Sequence, residues 1–334
     1  MKLKRFTSWR LLVTLAVVLV LVGGAFLIGR IVGHHPENQK PGKFPEQIVY
    51  VRSKDDVVDA GALFAPPRDI AKPVAVVWIH GWGVNFYYPS YVGIARALAN
   101  RGYTTITGNT RMHDLGNVEK YSFFGKRVRG GDYWGVTSQD ALDIAAWVDY
   151  AERIGFSKVV LVGHSAGWAS VGRYQAEAAD RRVIGLVLAS PGVGPPQKND
   201  PELVAQAKKL VAAGGGEDLI PLPNRSFPSF ISAATYLDME NTPPEYKDFF
   251  GIGHTPAPAI LRVKCPILAF FGTSHDIGGE KELSLLKSTV QEFAGNSPKI
   301  TTAMIVSGDH EYNGEEAQVA ERIANWAEAE LLSE

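Results

Sequence analysis

A single cysteine, Cys265, stands in 334 residues, so no intramolecular disulfide can form. It opens the apolar run CPILAFF, with neither a sharp turn nor a helix start around it. That setting is one of a small core residue, not of a reactive thiol. The eight histidines are scattered, with no H-E-x-x-H pattern and no cysteine–histidine pairing, so no metal is expected. An excess of charge of either sign is also missing. The 34 basic and 35 acidic side chains leave a net charge of -1, which gives no reason to expect nucleic acid or an acidic polymer as partner. The triplet Gly214-Gly215-Gly216 lacks the Lys-Ser/Thr that would make it a phosphate cradle. No internal repeat is visible.

The N-terminus has the one long hydrophobic run. Residues 1–10 carry Lys2, Lys4, Arg5 and Arg10 and no acid, and residues 11–29 are apolar. A bilayer core takes about 20 helical residues, so 11–30 reads as a transmembrane anchor with its basic flank in the cytoplasm. The competing reading is a cleaved secretory signal with Gly23 and Ala25 before the cut, which would leave a secreted or periplasmic protein. The run continues through Phe26-Leu27-Ile28, which favours the single-pass anchor with the remaining chain outside the cytoplasm. Residues 31–44 are polar, contain Pro and Gly, and read as a linker.

From residue 45 onward the pattern is that of an α/β domain. Gln47–Val51 and Asp59–Phe64 alternate like an antiparallel pair. Pro73–His80, Val159–Val162, Val183–Ala189 and Pro266–Gly272 are near-continuous apolar runs, as strands buried on both faces require, and Tyr103–Gly108 and Lys299–Val306 read as further strands. Helical patterns lie between them, at Tyr91–Arg101, Ser138–Ile154, Ala166–Ala179, Gly279–Phe293 and Glu315–Leu332. Thr137-x-x-Asp140 looks like a capping box for the second of these. Between about 192 and 263 the strand rhythm stops. The stretch is rich in Pro and Gly, with helical pieces at Pro201–Ala213 and Phe230–Leu237.

Polar punctuation falls where strands end. His80-Gly81-Trp82-Gly83 follows the first long apolar run. The pentapeptide Gly163-His164-Ser165-Ala166-Gly167, a G-x-S-x-G sequence, stands between a strand and a helix. In that context a serine is lifted clear of the sheet at the apex of a tight turn. Gly272-Thr273-Ser274-His275-Asp276 ends the penultimate strand, and Gly308-Asp309-His310 ends the last. A serine hydroxyl is a weak nucleophile near neutral pH and needs a base, an acid to orient that base, and donors for an oxyanion. His310 is the candidate base and Asp276 the candidate acid, with Asp309 and Glu280 as rivals. Backbone N–H groups of Trp82 and Ala166 are the candidate oxyanion donors. His164 is expected to pack under the turn, and His80 to hydrogen-bond within its own loop. Phe86, Tyr87 and Trp168 are candidate substrate contacts.

These four motifs, in this order and each at a strand end, resemble the α/β-hydrolase superfamily, within it the esterase-like and serine-aminopeptidase-like branch. The resemblance covers residues 45–334. It implies an α/β-hydrolase fold: a mostly parallel eight-stranded sheet flanked by helices, with a helical lid over about 192–263. It further implies a serine hydrolase acting on a small or medium acyl ester through an acyl-enzyme on Ser165, with no cofactor. A peptidase, thioesterase or lipase would use the same residues, and the fold also hosts lyases and non-catalytic binding proteins. The expected partners are therefore the ester and, through residues 11–29, a membrane. Nothing in the sequence sets an oligomeric state.

Overall fold

A computed structural model describes residues 45–120, 127–222, 229–293, 295 and 298–333. The basic flank, apolar segment and linker expected over residues 1–44 lie outside them. No helix among the described residues is long and apolar enough to cross a membrane.

Strands β1 (Glu46–Arg52) and β2 (Val58–Phe64) pair antiparallel, with Glu46 opposite Phe64. Strand β3 (Ala75–Ile79), helix α1 (Pro89–Ala99) and β4 (Thr104–Gly108) follow. The polar stretch after β4 contains an antiparallel pair, β5 (Asn117–Lys120) with β6 (Arg127–Gly130). Helix α2 (Asp140–Arg153) leads to β7 (Val159–His164), α3 (Gly167–Ala178) and β8 (Val183–Ala189). Residues 192–263 hold α4 (Pro201–Ala212), the paired strands β9 (Leu219–Pro221) and β10 (Phe230–Ser232), α5 (Ala233–Asn241) and α6 (Pro244–Lys247). The chain then resumes with β11 (Ile267–Gly272), α7 (Glu280–Gln291), β12 (Ile300–Ile305) and α8 (Glu316–Glu330).

Eight strands form one sheet in the order β1-β2-β4-β3-β7-β8-β11-β12. Only β2 runs against its neighbours; the pairings from β4 through β12 are parallel. Side chains alternate between the two faces of a strand, and the central runs are apolar at every position for that reason. Ala75, Val77, Ile79, Val159 and Leu161 enter one core with α2, α3 and α7. Val76, Trp78, Val160 and Val162 enter the other with α1 and α8.

Two local expectations are corrected. Thr137 and Asp140 do not form a capping box: the helix start has no side-chain cap, Thr137 Oγ1 donates to Asp238 Oδ2 at 2.7 Å, and Asp140 turns inward to Ser170. Phe230–Ser232 is strand and not helix, because Ser232 ends β10 and caps α5 by accepting from the Thr235 N–H. The stretch 192–263 has a small core of its own, built from Ala207, Ile220, Leu222, Ile231, Ala233 and Tyr236. It is joined to the start of α2 through Asp238, which accepts from both Thr137 Oγ1 and the Ser138 N–H.

The loop after β4 is pinned by Arg111, which is 3% exposed. Its guanidinium donates to Asp143 at 2.7 and 2.9 Å, to Asp55 at 2.8 and 2.9 Å, and to Gln139 at 2.8 Å. Removing one partner of a buried pair leaves an uncompensated charge. Arg111→Met is therefore expected to lower stability by about 3–5 kcal/mol, and Arg111→Met with Asp143→Leu to recover most of the loss. Urea unfolding of the two variants checks this; an equal loss in both would mean the charge pairing is not the cause.

Candidate active site

Ser165 sits between β7 and α3 at φ +48°, in the left-handed region a serine rarely adopts. Such a conformation costs about 1–3 kcal/mol and persists only where the surroundings enforce it. Close backbone packing does so here. A Cβ on Gly163 would lie 2.4 Å from the Gly167 carbonyl oxygen. One on Gly167 would lie 2.3 Å from the His80 carbonyl oxygen, and one on Gly81 2.8 Å from Ser165 Cβ. The Ser165 N–H donates to the Ala189 carbonyl at the end of β8, 2.9 Å away. The turn, the β3 loop and the β8 end are thus held in mutual contact.

The structure brings the three candidate side chains together. Ser165 Oγ lies 3.0 Å from His310 Nε2, and His310 Nδ1 lies 2.8 Å from Asp276 Oδ1. Asp276 stands four residues after Gly272, and the chain between them turns through His275 at φ +55°. Its Oδ2 then accepts from the Gly272 N–H at 2.7 Å and from Ser190 Oγ at 2.6 Å, and Oδ1 from the Ile277 N–H at 2.7 Å. The loops bearing acid and base are stitched together by backbone bonds from Ser274 to Gly308 and from Thr273 to Ile305. They approach so closely that a Cβ on Gly272 would fall 2.1 Å from the Gly308 oxygen. The rival acid Asp309 accepts instead from its own loop, at the Glu311 and Asn313 amides. The rival Glu280 lies in the first turn of α7.

Electrostatics match this geometry. Burial pushes the Asp276 carboxyl up, but bonds from His310, Ser190 and two backbone amides outweigh it and hold the group below its usual range. Burial pushes His310 down, and the Asp276 bond and charge outweigh that, so the imidazole is raised above its ordinary value. With an ionised carboxylate at Nδ1, that nitrogen carries the proton and Nε2 accepts from the serine hydroxyl. A hydroxyl so placed can lose its proton to the imidazole as it attacks a carbonyl carbon.

Two further histidines support the loops. His164 is buried; its Nε2 donates to the His310 carbonyl at 2.7 Å, and its Nδ1 takes the Tyr91 hydroxyl at 2.6 Å. The Gly81 N–H donates to the same tyrosine oxygen at 3.2 Å. His80 Nδ1 donates to the Gly81 carbonyl at 2.8 Å, and Nε2 accepts from the Thr110 N–H at 3.1 Å. Burial pushes His164 down to about 3 and His80 to about 4, so both are neutral rings serving as hydrogen-bonded spacers. Neither Tyr91 nor the pair Ser190–Tyr312, whose hydroxyls meet behind Asp276, was marked by any sequence motif. Ser190 does share the signal of the others, a polar residue directly after an apolar strand.

A cavity of about 740 Å³ opens at Ser165. Trp82, Ala166 and Trp168 line it, with Trp168 stacked on Phe250 at 4.7 Å. Phe86 and Tyr87, the other two candidate substrate contacts, are not among the residues that line it. Phe86 is buried with Phe64, Ala95 and Ala99 beneath α1, and Tyr87 packs edge-on against it, 60% exposed. The stretch 192–263 supplies Gln197, Met239, Thr242, Tyr246, Lys247 and Phe249 to the wall. Asp140, Ser170 and Arg173 line it too; the sequence marked Asp140 only as a helix-capping residue and gave no sign of the other two. Cys265 is buried away from this cavity, its thiol pushed up to about 12 by burial.

The chain is similar in fold to several solved structures. Est1E from Butyrivibrio proteoclasticus with ferulic acid bound matches with a TM-score of 0.58 at 16% identity, over 85% of this chain and 100% of that one. DcsB in complex with its substrate analogue matches at 0.63 and 15%, over 86% and 100%. An esterase from Pyrococcus furiosus matches at 0.53 and 14%, over 89% and 98%. No curated protein sequence matches the chain. A family model described as the alpha/beta hydrolase family matches residues 76–322, a span that includes Ser165, Asp276 and His310. By that match, and with the strand order and serine turn described above, the chain belongs to the alpha/beta hydrolase family.

Proposed function

We propose that the protein is a serine hydrolase that cleaves a carboxylic ester through an acyl-enzyme on Ser165. The observation that carries this reading is the continuous line Ser165 Oγ, His310, Asp276 at 3.0 and 2.8 Å. In the first half-reaction the Ser165 oxygen bonds to the ester carbonyl carbon while its proton passes to His310 Nε2. Asp276 holds the ring orientation and stabilises the imidazolium. The Ala166 and Trp82 amides receive the tetrahedral oxyanion, one such donor lowering the barrier by about 3 kcal/mol. The intermediate collapses, the C–O bond breaks, and His310 returns the proton to the leaving alcohol. Water then repeats the sequence and releases the acid.

Ester chemistry is favoured over amide chemistry by the neighbours of like fold, one of them an esterase and one holding ferulic acid. The cavity size suits a small or medium acyl group. The basic residues ahead of the apolar run 11–29 support tethering to a membrane with the hydrolase domain on the far side from the cytoplasm.

Ser165→Ala is expected to abolish labelling by a fluorophosphonate probe, and Asp276→Asn to lower kcat by about 10³- to 10⁴-fold while the fold is kept. Equal labelling of wild type and Ser165→Ala would end the serine-hydrolase reading. The pH profile gives a separate check. His310 must be neutral to accept the proton, and its folded value is raised above the ordinary 6.5. Activity is therefore expected to fall as pH drops through a midpoint above 6.5, and the midpoint to move down in Asp276→Asn. An acid limb unchanged by that substitution contradicts the pairing. Cell fractionation is expected to find the full chain with the membrane and a chain lacking residues 1–44 in the soluble fraction; equal distribution would remove the tether.

A further inference from the structure

Helix α3 does more than follow Ser165 in the chain. Ala166, Ala169, Ser170 and Arg173 all line the cavity. Steps of three and four residues put them on one face of the helix, so that face forms a floor leading away from the reacting serine. Its near end is Ala166, a candidate oxyanion donor, and the small side chains of Ala169 and Ser170 follow. Arg173 stands at the far end, six residues beyond Gly167 within the helix and so about 9 Å further along its axis. Trp168, Phe249 and Met239 also line the cavity and supply apolar surface beside this floor.

The Arg173 guanidinium is fixed in place with its fork of donors unmet. Its Nε donates to Glu177 Oε1 at 2.8 Å, and the group lies 5.2 Å from the centre of the Tyr246 ring. Tyr246 is held in turn, its hydroxyl accepting from Arg262 Nη1 at 2.7 Å. Neither Nη1 nor Nη2 of Arg173 hydrogen-bonds to any described residue, and neither is sealed from solvent. The side chain is 20% exposed and faces the cavity, so a molecule there can reach it. The pair with Glu177 accounts for Nε and leaves the two terminal nitrogens unexplained. Charge at this end of the cavity has one sign. Of the residues lining it, Arg173 and Lys247 are cations and Asp140 is an acid, while Glu177 and Glu240 are not among them. Lys247 Nζ donates to the Glu240 carbonyl at 2.5 Å, so Arg173 is the cation with open donors. Asp140 is buried and accepts from Ser170; burial and the charge of Asp143 push it up to about 7, so near neutral pH it offsets little of the positive charge.

We propose that Arg173 is a substrate-binding residue that takes a carboxylate at the end of the substrate chain lying along α3, so that the preferred ester is anionic at the end remote from the scissile bond. The proposal rests on the ester-hydrolase reading above. The two free terminal nitrogens of a planar guanidinium match the two oxygens of a carboxylate. The small and apolar residues between Ser165 and Arg173 suit a run of methylenes, and a neutral chain end would leave the guanidinium unmet.

The test uses two pairs of esters, each matched in length and differing in charge at the remote end. In the first the acyl half varies: the mono-p-nitrophenyl ester of suberic acid against p-nitrophenyl nonanoate. In the second the alcohol half varies: the butyrate ester of 6-hydroxyhexanoic acid against heptyl butyrate. Wild type is expected to show a kcat/KM at least about tenfold higher for the anionic member of one pair, and that pair identifies the half of the ester that lies along α3. Arg173→Met keeps the apolar stem and removes the charge, and is expected to bring the ratio within that pair to about one. A merely structural Arg173 would instead lower both members alike and leave the ratio as in wild type. Turnover of the neutral esters by wild type with no preference for the anionic member of either pair overturns the proposal. A preference that survives in Arg173→Met, or in Arg173→Gln should the methionine variant not fold, overturns it as well. Turnover of none of the four esters by wild type removes the ester-hydrolase reading itself, a result distinct from lost selectivity.

Discussion

Backbone contact between the serine turn and the loop after β3 is the constraint on which the site depends. No side chain fits between Gly167 and the His80 carbonyl, or between Gly163 and Gly167. Because the two segments touch as bare backbone, Ser165 is forced to φ +48°, which aims its hydroxyl away from the sheet. The same contact brings the Trp82 and Ala166 segments to one cavity. The strain at one residue is small against the apolar burial of β3 and β7 on both faces, so the sheet enforces a conformation the serine would not choose.

The acid and base are set by a second close approach of the same kind, Gly272 against Gly308. The loop is anchored by backbone bonds at Thr273 and Ser274, and His275 turns the chain in the left-handed region. The carboxylate then folds back on the amide of Gly272, and both of its oxygens receive more than one donor. A carboxylate so fully bonded stays ionised although it is buried.

Much of this was legible in the chain itself, and the reason is periodicity. Strand runs such as VVLVG and ILAFFG are apolar at every position because two helix layers cover them, and a polar residue just past such a run must sit at a strand end. Ser165, Asp276 and His310 are all of that kind. The failures share a different cause. Phe86 and Tyr87 follow the β3 loop closely in sequence, but α1 begins at Pro89 and Phe86 packs beneath it, with Tyr87 60% exposed against Phe86. Thr137 and Asp140 have capping-box spacing, but tertiary partners, Asp238 and Ser170, claimed their side chains. Ser190 shares the strand-end signal, whereas Tyr91 meets His164 across 73 positions, a distance in sequence of which no local pattern carries a trace.

The buried histidines have a consequence for how the site responds to its medium. Of the three imidazoles grouped around Ser165, two are locked in one tautomer, each ring nitrogen already matched to a carbonyl, an amide or a hydroxyl. Protonating either would require breaking a buried bond and placing a charge in the core, so neither responds across the ordinary pH range. His310 is left as the one ring there whose charge is free to vary. The foundation of the site is thus chemically inert, and its acid–base state reduces to a single variable.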